Sequence, residues 1–85
     1  MKVLHIIRSN EDALARRMIQ HIESADSVDQ TVLLIQDGVY MKPSNMRMFA
    51  CADDVRARGI ETNIEIVGYD RIVEMVFDAD KVITW

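Results

Sequence analysis

Residues 46–59 read MRMFACADDVRARG. The first six, Met46 to Cys51, form a short apolar run broken only by Arg47, in keeping with a buried strand. The next seven, Ala52 to Arg58, carry Asp53 and Asp54 in the first turn and Arg56 and Arg58 in the last, with Gly59 just beyond. That charge order complements a helix dipole, and glycine is the common residue where a helix stops. A buried strand that passes directly into a helix is half of a βαβ unit. The stretch therefore predicts an α/β fold.

The alternation continues in both directions. KVLHII (2–7) and TVLLIQ (31–36) are continuous apolar runs of the kind found in strands buried on both faces. SNED (9–12) reads as a helix start, with Ser9 capping and Asp12 completing the reciprocal pair. From there Leu14, Ala15, Met18, Ile22 and Ala25 fall on one stripe, with Arg16, Arg17, Gln20 and Glu23 on the other side. SADSVD (24–29) is expected as a loop, and KPSN (42–45) as a turn. Beyond Gly59, IEIV (64–67) reads as a strand, YDRIVEMVFDA (69–79) as a helix and KVITW (81–85) as the last strand. The expectation is one domain, residues 1–85, with an open, mostly parallel sheet of four or five strands and flanking helices. One link is short. Only residues 37–45 separate the second and third strands, where a parallel crossover takes at least ~10–12 residues. Either the strand ends lie elsewhere, or this crossover is little more than one turn.

Bulk properties exclude several classes of function. The formal charge is −4, from 14 acidic and 10 basic residues. Arg16–Arg17, Arg47, Arg56 and Arg58 make no basic stripe, so direct nucleic-acid binding is not expected. A single cysteine rules out a disulfide framework and a multi-cysteine metal site. No apolar stretch approaches the ~18 residues of a membrane span, and the opening run is too short for a signal-peptide core. The expected setting is the cytoplasm. His5 lies within a strand and His21 on the shoulder of a helical stripe. Neither has a metal-ligand partner nearby, and both read as structural. Ser9 and Asn10 follow the first strand without a glycine-rich phosphate loop, so no nucleotide or flavin cofactor is expected. Asp37–Gly38 follows the second strand, where open parallel sheets take ligands. The simpler reading is local: aspartate caps a helical turn and glycine permits the bend.

At 49% apolar residues, so small a chain has more core-forming side chains than its own core needs. The excess gathers in the last helix. Tyr69, Ile72, Val73, Met75, Val76, Phe77 and Ala79 span ~200° of arc, whereas a helix that only covers a sheet needs little more than ~100°. This predicts a subunit interface on that helix, with Tyr40 and Trp85 as further interface residues. Met41, Met46 and Met48, beside Val39 and Tyr40, suit either core packing or an adaptable partner contact.

Taken in order, VLHII (3–7), LLIQDGVY (33–40), MFACADDVRARGI (48–60), IEIVGYDRIVEMV (64–76) and the closing KVITW resemble the TusB/DsrH group of the DsrE/DsrF/DsrH-like sulfur-relay proteins. The likeness covers nearly the whole chain. It implies an open sheet of flavodoxin-type outline and a subunit that assembles with DsrE/TusD-like and DsrF/TusC-like sisters into a heterohexamer. Such complexes pass persulfide sulfur toward 2-thiolation of the tRNA wobble uridine, or serve in sulfur oxidation. The TusB-like member is regarded as the non-catalytic partner. One position departs from that pattern. The DsrE-like subunit carries its persulfide cysteine at the end of the third strand, eight residues before the glycine of an Arg-Gly pair, and Cys51 stands eight residues before Gly59. TusB-like chains usually hold an apolar residue there.

Cys51 thus has two readings. A persulfide acceptor needs an exposed thiol with a lowered pKa. Helix-start amides favour a thiolate, while Asp53 and Asp54 oppose it unless Arg56 and Arg58 fold back. Alternatively, Cys51 is a small buried hydrophobe, as free cysteines often are. The functional expectation is an assembly subunit of a sulfur relay, with Cys51 a candidate sulfur acceptor. The alternatives are a stand-alone homo-oligomeric carrier using Cys51 and a structural homodimer without sulfur chemistry.

Overall fold

Among the described residues, five strands and three helices alternate along the chain: β1 (Lys2–Ile7), α1 (Ala13–Glu23), β2 (Asp29–Leu34), a 3-10 helix (Gln36–Tyr40), β3 (Met48–Cys51), α2 (Ala52–Arg58), β4 (Glu65–Val67), α3 (Tyr69–Asp78) and β5 (Lys81–Thr84). The computed structural model describes residues 1–10, 13–23, 28–43 and 46–85, with the backbone alone for 22 and 23. All five strands are parallel, in the order β4-β3-β2-β1-β5. The expected α/β architecture is the observed one.

The order of strands decides which face each helix covers. Three successive connections step the same way across the sheet, and the fourth returns past them to the far side of β1. Right-handed crossovers therefore put α1, the 3-10 helix and α2 on one face and α3 on the other. Side-chain alternation fills two cores accordingly. Ile7, Val32, Leu34, Met48 and Ala50 pack with Ala15, Ile19, Val39 and Val55 on the first face. Leu4, Leu33, Phe49 and Val67 pack with Met75 on the second.

Several boundaries differ from the sequence reading. β2 begins at Asp29, not Thr31, because β1 pairs from Lys2 and the register sets Lys2 opposite Asp29. It stops at Leu34, because Gln36 takes a positive φ of 50° that no strand continues through. β3 starts at Met48, so the second crossover spans residues 35–47 and holds one 3-10 turn. Both resolutions of the short link therefore apply. Gly38 has no left-handed φ, contrary to the bend proposed for it. Its requirement is spatial: a Cβ there would lie 2.2 Å from the Ile7 carbonyl oxygen. Gly59 does take the left-handed form (φ 58°, ψ 32°). Its successor Ile60 donates its N–H to the Val55 carbonyl at 3.4 Å, a Schellman-type closure of α2.

The stripe expected on α1 is rotated. The residues that reach the core are Ala15 and Ile19, one turn apart, whereas Leu14 is 63% exposed and Met18 also faces outward. The side chain of Ile22, and Ala25 and the Asp12 half of the capping pair, lie outside the described residues. The methionine cluster resolves toward packing: Met41 and Met48 are buried, and Met46 leans on the same core.

Candidate functional site

Parallel α/β sheets expose their functional groups where strands end and helices begin. At that edge Cys51 closes β3 and is the N-cap of α2, with extended backbone (φ −67°, ψ 123°) and no side-chain capping hydrogen bond. The thiol is half-buried. Alternation from Phe49 and pairing with Val67 place it on the α3 face.

The charges around it are compensated within α2 and by the second crossover. Arg56 sits 3.6 Å from Asp53, both exposed. Arg58 lies 3.3 Å from Asp54 and 3.1 Å from Asp37. The arginines thus fold back onto the acids, as a thiolate at Cys51 would require. Asp37 serves as a tether between the 3-10 helix and α2 rather than as a cap, since the residue in the N-cap position is Ile35 and makes no side-chain cap.

His5 is not part of this edge. It is fully buried on the opposite face of the sheet, so no Cys–His dyad forms. The Trp85 indole N–H donates to His5 Nδ1 at 3.1 Å. An indole nitrogen only donates, so Nδ1 holds a lone pair and the proton is on Nε2, which donates to Gln30 Oε1 at 2.7 Å. The Gln30 amide donates onward to the Ile19 carbonyl at 3.1 Å. Burial pushes the His5 pKa below its ordinary 6.5, and the Gln30 hydrogen bond partly opposes that. Trp85 also stacks on the imidazole, with centroids 6.2 Å apart and planes 21° from parallel. Its carbonyl accepts from Arg8 Nε at 3.0 Å. The terminal tryptophan therefore locks β5 to β1, and its indole is directed inward.

The other residues singled out for an interface separate into two sets. Met75 is buried in the chain's own core and Ile72 packs against it. Val73 is half-buried. Phe77 is 85% exposed, Tyr69 76%, and Val76 and Tyr40 are also on the surface. Helical geometry gathers Val76, Tyr69, Val73 and Phe77 into one flank of α3, about 100° wide and turned away from the sheet-facing Met75. Val82 on the edge strand β5 is also exposed, on the α3 face of the sheet. The sequence reading missed Gln30 and Val82. Their roles depend on strand register: Gln30 shares a face with His5 only once β2 starts at Asp29.

Among the described residues no group of His, Cys, Asp or Glu is placed to hold a metal ion, and no helix is long and apolar enough to cross a membrane.

With this geometry in view, the comparisons are direct. The family profile described as "DsrH like protein" matches residues 9–82. Among solved structures, the YchN protein from E. coli superposes with a TM-score of 0.72 at 20% identity, covering 100% of each chain. That likeness is one of fold. No curated protein sequence matches the chain significantly.

Proposed function

The chain belongs to the DsrH-like family and is a sulfur-relay protein of the DsrH/TusB type, and from that premise we propose that it is an assembly subunit of a cytoplasmic relay serving 2-thiolation of the tRNA wobble uridine. Its partners are DsrE/TusD-like and DsrF/TusC-like sisters. The observation that carries the assembly role is the α3 flank, where Phe77 and Tyr69 lie 85% and 76% exposed beside Val76 on a chain of only 85 residues. Exposed apolar side chains gathered on one helical flank are characteristic of docking surfaces. The net charge of −4 suits contact with proteins and leaves the tRNA to a downstream enzyme.

Cys51 is the proposed sulfur acceptor. Its thiolate attacks the terminal sulfur of a donor persulfide. A bond forms between Sγ and that sulfur, the donor's S–S bond breaks, and the donor departs as a thiolate. No net oxidation occurs. The half-exposed thiol at a strand-to-helix junction, with both nearby acids paired to arginines, is compatible with this step. Whole-protein mass after incubation with a persulfide donor tests it: one added sulfur on the native chain, and none on Cys51→Ser. An unmodified native chain with a titratable thiol removes Cys51 from the relay and leaves the assembly role standing. Co-purification with two sister subunits tests that role separately.

A further inference from the structure

Among the described residues α3 covers its face of the sheet only in part, and the start of β2 beside it is left uncovered, with Asp29 exposed and Thr31 half-buried. A cleft of about 190 Å³ lies there, at the opposite end of the strands from Cys51. Its floor is apolar, formed by Leu4, Phe49 and Met75. Its polar groups are less ordinary. Lys2 and Arg71 are engaged, Lys2 with Asp78 at 3.1 Å and Arg71 with Glu74 at 3.2 Å. Arg47, by contrast, has no ion pair among the described residues; its guanidinium sits 6.0 Å from the centre of the Phe49 ring. Thr31, on the neighbouring strand, lines the same space with its hydroxyl unengaged among those residues. Arg71 approaches from α3, and surface pairs such as Arg71–Glu74 are weak enough to rearrange.

We propose that this cleft is a binding site for a small organic carboxylate with an apolar body. Arg47 presents a planar fork that matches a carboxylate, with its guanidinium 6.0 Å from the centre of the Phe49 ring. The Thr31 hydroxyl supplies a further donor, and Leu4, Phe49 and Met75 receive the apolar part. The volume falls below the ~300–1,000 Å³ of drug-sized pockets, so the ligand is correspondingly small. Asp29 decides the charge. Its carboxylate, unpaired among the described residues, lines the same cleft at the start of β2 and disfavours a second negative charge on the ligand. A monocarboxylate therefore fits better than a phosphate. The site is independent of the sulfur step, which lies at the other end of the sheet.

The test is a titration of the whole chain with benzoate, followed by backbone amide chemical shifts. The expected result is saturable binding on the order of millimolar, as suits so small a ligand, centred on Leu4, Thr31 and Phe49. Arg47→Ala weakens binding about tenfold or more, with the melting temperature unchanged because Arg47 is exposed. Benzyl alcohol, of similar shape and without charge, binds the native chain about as weakly as benzoate binds Arg47→Ala, about tenfold or more below benzoate on the native chain. Equal binding of the alcohol, undiminished binding to Arg47→Ala, tighter binding of inorganic phosphate, or no saturable shift each overturns the proposal.

Discussion

Gly38→Ala places a methyl group against backbone. The added Cβ lies 2.2 Å from the Ile7 carbonyl oxygen and 3.0 Å from its carbon. That oxygen is fixed, since it accepts the Ile35 N–H at 3.0 Å. Neither partner is a flexible side chain, so relief requires the 3-10 helix to lift from the end of β1. Overpacking costs about 1–3 kcal/mol, and a backbone clash belongs at the upper end. For a domain of this size about 3 kcal/mol lowers the melting temperature by roughly 12–24 °C. The other two glycines are internal controls. Gly59→Ala meets no atom within 4 Å but keeps a positive φ of 58°, costing about 1–2 kcal/mol. Gly68→Ala has open space and an extended backbone, so its effect stays within about 1 kcal/mol. Thermal unfolding by circular dichroism orders the three. A Gly38→Ala chain that melts within a few degrees of the native one, or above Gly59→Ala, refutes the close-approach argument.

The buried imidazole gives a pH dependence with a defined sign. His5 is neutral when folded and its pKa is lowered, so the unfolded chain binds the extra proton; stability is complete above about pH 6.5 and declines as pH falls from there toward the lowered folded value. Urea midpoints between pH 8 and 5 check this, and Trp85→Phe, which removes the indole donor to Nδ1, reduces the slope. On α1, Ile19→Ala is expected to cost about 2–5 kcal/mol while Leu14→Ala stays within about 0.5 kcal/mol; equal losses in denaturant titrations contradict the observed rotation of the helix.

Much of the architecture was legible because strand runs such as KVLHII and the MFAC–ADDVRAR junction carry apolar continuity, dipole-matched charges and a terminal glycine together. Where the reading failed, the cause was register. α1 exposes Leu14 and buries Ile19 because the apolar residues 14, 15, 18, 19 and 22 support more than one stripe, and only contact with the sheet selects between them. The role of Gly38 depends on how close the 3-10 helix comes to β1, a distance no local pattern encodes. At the candidate site, the position of Cys51 at the end of β3 followed from the sequence. The folding back of Arg56 and Arg58 did not, since side-chain pairing depends on where the 3-10 helix and Asp37 come to rest. The surplus apolar arc of α3 was visible from spacing alone, but its division into a sheet-facing Met75 and an outward Phe77 needed the crossover geometry.

The assembly role rests on that outward flank, and sedimentation measures it most directly. The native chain, alone and mixed with DsrE-like and DsrF-like sisters at micromolar concentration, is predicted to enter a larger species. Phe77→Asp is predicted to remain monomeric in both, with an unchanged melting temperature, because the side chain is exposed. A native chain that stays monomeric in every mixture, or a Phe77→Asp chain that assembles as the native one does, contradicts the account.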